Sequence, residues 1–146
     1  FQRYANVRAY FDAVLAEARQ VGYVTTIAGR QRPTPELASK NRGLVQAAER
    51  AAMNAPLQGS AADLVKMAMI AVDTQLADQH LDAAMLLQVH DELVLEVAQD
   101  AVDVVYPLVR NAMEGVMSLR VPLHVSAAWG PNWATMSAPD ASASGA

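Results

Sequence analysis

No cysteine occurs among the 146 residues, which excludes a disulfide framework and any thiolate metal site and fits a reducing compartment. No apolar run is long enough to span a bilayer, and no stretch has the layout of a signal peptide. Internal repeats are missing as well. The chain starts at Phe1 rather than Met, inside a pattern that already reads as helix, so it is expected to be a piece of something longer. What is present is a chain with 53% hydrophobic residues, enough for one domain with a real core.

Basic residues are scarce after the first third. Residues 1–50 hold eight Lys/Arg (Arg3, Arg8, Arg19, Arg30, Arg32, Lys40, Arg42, Arg50) against four acids, a net of +4. Residues 51–146 hold only Lys66, Arg110 and Arg120 against eleven acids, a net of −8. Such a split suits a protein that holds a polyanion with one part and metal cations with another. Taken alone, it is more simply solvated surface charge.

The rest is organised around Met85-Leu86-Leu87-Gln88-Val89-His90-Asp91-Glu92-Leu93-Val94-Leu95-Glu96-Val97. Two apolar runs of strand length close on a short polar break, which reads as a β-hairpin with charge at its tip. Met85, Leu87 and Val89 in one run, and Leu93, Leu95 and Val97 in the other, can face a core. The break lacks the Asn-Gly or Asp-Gly that tight hairpins prefer, which hints at a task for the side chains of His90 and Asp91.

In chain order, residues 1–21 read as an amphipathic helix, with Val7, Phe11, Val14, Leu15, Ala18 and Val21 as its apolar stripe and Gly22 as its end. Residues 23–27 read as a strand. Residues 31–35 are a poorer return strand or loop because of Pro33 and Pro35, and the basic tip at residues 29–32 can touch phosphates. A helix follows from about Asn41 to Met53, and Asn54-Ala55-Pro56 is expected to interrupt or kink it. A second helix is expected from Ser60 as N-cap, with Asp63 in an approximate capping box, burying Leu64, Val65, Met67, Ala68, Ile70, Ala71 and Leu76. Asp100 caps a third helix with the stripe Val102, Val105, Leu108, Val109, Ala112, Met113 and Val116. Residues 121–127 read as a further strand and residues 137–146 as a flexible tail. The fold class is therefore α+β: an antiparallel sheet with a central hairpin at about 84–97, packed against long helices.

Two groups carry chemistry. Asp91 suits a hard cation, since Mg²⁺ takes oxygen ligands and usually one or two carboxylates from the protein. Glu92 is its neighbour, but consecutive strand side chains point to opposite faces, so a two-metal site needs another carboxylate from elsewhere in the fold. A solvated hairpin tip has the same residues. Arg50, Asn54 and Gln58 sit at i, i+4 and i+8, a row of donors on one face if the helix carries through Pro56. Minor-groove edges of every base pair offer acceptors in nearly the same place, so such a row checks duplex geometry without reading sequence. An ordinary polar helix face has the same spacing.

Residues 49–63 (Glu49-Arg50-Ala51-Ala52-Met53-Asn54-Ala55-Pro56-Leu57-Gln58-Gly59-Ser60-Ala61-Ala62-Asp63), followed by Gln88-Val89-His90-Asp91-Glu92-Leu93-Val94, closely resemble the C-terminal end of family A DNA polymerases of the bacterial polymerase I type. Gly22-Tyr23-Val24-Thr25-Thr26 with Gly29-Arg30, and Gly130-Pro131-Asn132-Trp133, resemble that family too, so residues 1–136 fall within the likeness. The resemblance implies the end of the fingers and the later half of the palm of a bacterial, cytoplasmic, nucleoid-associated enzyme. It implies that Asp91 binds the catalytic Mg²⁺ ions and that Glu92 supports it near the metals and primer end. His90 would contact the primer terminus, and Arg50, Asn54 and Gln58 would lie along the minor groove of the primer–template. The partners implied are primer–template DNA, a dNTP and the N-terminal part of the same polymerase, with no membrane.

The family also uses a second metal-binding aspartate, in a motif resembling Asp-Tyr-Ser-Gln-Ile-Glu, and a fingers helix that holds the incoming nucleotide. Neither motif occurs in these 146 residues. The chain is therefore expected to carry one ligand residue of a two-metal site and to be inactive alone. Two rivals are a metal-dependent phosphohydrolase and a non-catalytic primer–template-binding remnant. The first sets its His-Asp pair in helices among further histidines, whereas here only His80 and His124 remain.

Overall fold

The computed structural model describes residues 5–137. It mixes three helices with two small antiparallel sheets among the described residues, as the α+β reading requires. The chain divides into two compact units, Phe1–Asp63 and Leu64–Ala146.

In the first unit, α1 spans Ala5–Val21. Gly22 ends it at φ +85°, where its N–H donates to the Ala18 carbonyl at 2.9 Å, and glycine takes that conformation without the penalty a Cβ brings. Only part of the expected stripe is inside: Ala18 is buried, Phe11, Val14 and Leu15 are half-buried, and Val7 and Val21 are exposed. β1 (Tyr23–Thr25) and β2 (Gln31–Pro33) pair antiparallel, with Tyr23 opposite Pro33 and Thr25 opposite Gln31. The poor return strand thus forms, for three residues, in a two-stranded ladder where a proline is tolerated. A 3₁₀ turn, Pro35–Ala38, leads to α2, Arg42–Asp78. Asn41 caps α2: its side-chain oxygen accepts from the N–H of Gly43 at 2.9 Å and of Leu44 at 3.4 Å. The core joins Ala18, Val24, Leu37, Ala52 and Ala55, with Val14, Leu15 and Ala48 against it.

The expected break in the helix does not occur. α2 runs unbroken for 37 residues with Pro56 inside it. Proline leaves the Ala52 carbonyl without its donor, yet Ala52 and Ala55 are held in the core and Pro56 itself is buried, so packing outweighs propensity. Ser60 is accordingly not an N-cap. Its hydroxyl donates back to the Pro56 carbonyl.

The second unit is built on Val72 and Leu76 of α2, and on Val105, Leu108 and Ala112 of α3, Val102–Glu114. The hairpin β3 (Ala83–Val89) and β4 (Glu92–Val97) packs Ala83, Met85, Leu95 and Val97 against them. Ile70, expected in the core, is 69% exposed; Val72, one position outside the expected stripe, is fully buried. A bulge corrects the hairpin pattern. Met85 pairs with Leu95 but Leu87 pairs with Val94, so Leu86 is the extra residue. Beyond it the parity flips: Gln88, opposite Leu93, takes the core-side register, while Leu87 and Val89 go to the other face.

Asp100 lies in a 3₁₀ turn, Gln99–Ala101, and α3 has no side-chain cap bond. Residues 121–127 form no strand: no ladder partner is present for them among the described residues, and a strand exists only by pairing. Of the expected tail, Ser137 is bonded to Trp129 (3.0 and 3.1 Å), and residues 138–146 lie outside the described residues. No described helix is long and apolar enough to cross a membrane.

Candidate active site and nucleic-acid interface

The β3–β4 ladder closes on Val89 opposite Glu92, leaving His90 and Asp91 as a two-residue turn. Tight hairpin turns need positive φ in the loop. His90 supplies it, at φ +56°, without being glycine. The Gln88 side-chain amide donates to the His90 carbonyl and so ties the turn from inside the hairpin. His90, Asp91 and Glu92 are all exposed. The register puts Glu92 on the sheet face away from Leu95 and Val97, a consequence of pairing with Val89.

Among the described residues no three His, Asp or Glu gather into a metal-binding group. Asp91 presents an exposed carboxylate of the right donor type for Mg²⁺, which commonly uses one or two protein carboxylates and completes its shell with phosphate and water. The tip thus fits as a contributor to such a site. The described residues do not complete it.

In the first unit the donor row is intact. Because α2 is continuous through Pro56, Arg50, Asn54 and Gln58 share one face, spread over roughly 12 Å at the helical rise. All three are exposed, and none makes a side-chain hydrogen bond or ion pair among the described residues. Other basic residues are already engaged: Arg8 with Asp12, Arg19 with Glu49 and Arg30 with Asp63. Arg32, Lys40 and Arg42 remain exposed without a partner among the described residues, and Arg3 lies outside them.

The sequence did not point to the grouping of Thr26, Arg30, Gly59 and Asp63. Arg30 reads as a phosphate contact from its place in a basic turn, but its guanidinium is turned inward to Asp63 at 2.8 Å. The available signal was Gly59, since glycine inside a helical run is costly and often marks close approach of another element.

Residues 1–135 match the model of DNA polymerase family A. The chain belongs to this family. DNA polymerase I of Mycobacterium tuberculosis is 52% identical over 133 residues, 91% of this chain and 15% of that protein. The Pseudomonas aeruginosa DNA polymerase I is 50% identical over 133 residues, again 91% and 15%, and the thermostable Thermus thermophilus DNA polymerase I is 48% identical, covering 91% and 16%. This family A chain thus spans about 15% of the length of the relatives it matches. Among solved structures, the POL domain of Pol1 from M. smegmatis, in complex with DNA primer-template and dNTP, superposes with a TM-score of 0.83 at 49% identity. That match covers 85% of this chain and 22% of the other.

Proposed function

We propose that this chain is the end of the fingers and the later half of the palm of a bacterial DNA-directed DNA polymerase. In the complete protein it takes part in attack of a primer 3′-hydroxyl on the α-phosphate of a dNTP: the new phosphodiester bond forms as the α–β phosphoanhydride bond breaks, pyrophosphate leaves, and the hydroxyl proton passes to water. The observation that carries the reading is that one set of residues from each family motif stands exposed with no side-chain partner among the described residues: Arg50, Asn54 and Gln58 on continuous α2, and Asp91 at a tight turn. Arg50, Asn54 and Gln58 donate to the minor-groove acceptors of the primer–template. His90 meets the primer terminus. Asp91 would hold Mg²⁺, with Glu92 as its sequence neighbour, and the second carboxylate would come from a part of the protein outside these residues. Mg²⁺, when bound, stabilises charge on the attacking and leaving oxygens. The enzyme works in the cytoplasm at the nucleoid.

The isolated chain is expected to bind primer–template duplex weakly and with strong salt dependence, and to extend no primer. Primer extension by the chain alone, abolished by Asp91→Ala, would show instead that the active site is complete here. Reading the coding DNA upstream of Phe1 separates the two uses of this fold. A frame that continues into an aspartate-bearing palm motif supports the polymerase. A start site just before Phe1 favours a binding remnant, which the intact donor row also suits.

A further inference from the structure

Gly59 follows Gln58 directly and lies inside α2, a position where glycine is a poor helix former. What faces it explains the choice. A Cβ there would lie 2.7 Å from Thr26 Cγ2 and 3.3 Å from an Arg30 guanidinium nitrogen. The turn between β1 and β2 therefore rests directly on the helix.

Four hydrogen bonds fasten it there. Thr26 Oγ1 donates to Asp63 Oδ2 at 2.6 Å, and Arg30 Nε donates to Asp63 Oδ1 at 2.8 Å. Arg30 Nη2 donates to the Gly59 carbonyl at 3.1 Å, and the Ile27 N–H donates to Ser60 Oγ at 2.9 Å. Within the turn, Thr26 Oγ1 also accepts from the Arg30 N–H at 3.1 Å, and the Thr26 N–H donates to the Arg30 carbonyl at 2.9 Å. Asp63 is buried, so its charge is held largely out of water, where a paired and hydrogen-bonded geometry matters most.

The clasp lies where α2 is weakest. Pro56 removes one rung of the helix ladder, and the backbone on its two sides can bend about that point. On the N-terminal side, Ala52 and Ala55 fix the helix in the core. On the C-terminal side, the clasp takes hold at residues 59, 60 and 63, one to five positions beyond Gln58. We infer that Arg30 and Asp63 are positioning residues: by clasping α2 past Pro56 they hold Gln58 in line with Asn54 and Arg50, so that all three donors meet the minor groove together. This rests on the duplex-binding reading above. Arg30 then serves DNA binding through the helix and not by touching a phosphate.

Fluorescence anisotropy of the 146-residue chain on a labelled primer–template duplex, over a salt series, tests this. Gln58→Ala and Arg30→Ala are each expected to weaken binding about tenfold, and the double variant little more than Gln58→Ala alone, because both act on the same contact. Arg30→Ala should leave the salt slope unchanged. Gly59→Ala pushes the turn off the helix and should weaken binding comparably. Adding Thr26→Ser, which removes the clashing methyl and keeps the hydroxyl, should restore it. Circular dichroism confirms that each variant keeps its helices, so that loss of fold is separated from loss of alignment.

Additive losses from Arg30→Ala and Gln58→Ala, with a salt slope reduced by about one, would make Arg30 a direct phosphate contact and overturn the inference while the duplex row stands. Unchanged binding in Arg30→Ala would overturn it equally. A silent Gln58→Ala is a different failure: the donor row itself would fall, and the clasp would have nothing to position.

Discussion

The backbone N–H of Val125 donates to the Glu114 carboxylate at 2.9 Å, tying the connection after α3 to the last residue of that helix. Arg110 Nε donates to the same oxygen at 3.2 Å. The amide first, and then the guanidinium, favour the charged form and hold Glu114 below its ordinary carboxylate range. The same contact with Glu114, and a lesser one with Tyr106, hold Arg110 above its ordinary value.

A carboxyl group whose folded pKa is depressed adds stability that is present above its unfolded value, about 4.3 for Glu, and is lost as pH falls through the lower folded value. Glu114→Gln keeps an acceptor for Val125 and removes only the charge. The variant should melt lower at neutral pH and show a shallower decline on the acid side than the parent. Thermal unfolding of both proteins over a pH series reads this directly. Parallel curves down the acid limb would show that the Glu114 charge contributes nothing.

Pro56 and Ser60 make a second testable pair, since the Ser60 hydroxyl donates to the carbonyl of a proline set within α2. Pro56→Ala gives the Ala52 carbonyl a donor again. The helix gain of about 3 kcal/mol is offset by lost packing of the buried ring, leaving a net stabilisation of roughly 1 kcal/mol. Urea unfolding measures it. Destabilisation instead would mean that packing of the ring outweighs the missing rung.

How much of this was legible depended on whether the deciding force was local. Gly22 ended α1 as read, and the hairpin was placed to within a residue, because turn chemistry and strand composition act over a few residues. Pro56 was misread because its local cost is real but is outweighed by Ala52 and Ala55 in the core, a tertiary effect. Leu86 left no mark as a bulge: alternation assumes a fixed parity, and one inserted residue moved Leu87 to the other face. Residues 121–127 have strand composition, but composition cannot supply a partner. The residues of the candidate site came from the motifs, and their roles rest on the proposal above. The commitment of Arg30 to Asp63 was not legible, because 33 positions separate them.

Leu76 and Ile70 were both read as core, and only one is. Leu76 is 5% exposed among Val72, Val105 and Leu108, whereas Ile70 is 69% exposed. Leu76→Ala is expected to cost about 2–5 kcal/mol, and Ile70→Ala to stay within about 0.5 kcal/mol of the parent. Paired urea titrations decide it. A large loss at Ile70 would reveal that something covers that position in solution.

His90 separates backbone from side chain at the hairpin tip. Its φ of +56° lies in the left-handed region, which costs an L-residue roughly 1–2 kcal/mol and costs glycine nothing. His90→Gly should therefore fold at least as stably as the parent, within about 0.5 kcal/mol once the freedom of the unfolded glycine is counted. His90→Val, β-branched and poorly suited to positive φ, should lose a further 1–2 kcal/mol or so. Thermal melts give that order. In the complete polymerase proposed above, both variants would lack the imidazole, so both should slow primer extension if the side chain meets the primer terminus. If only His90→Val were slow, the histidine would be serving the shape of the turn that presents Asp91, and the primer contact assigned to its ring would fall.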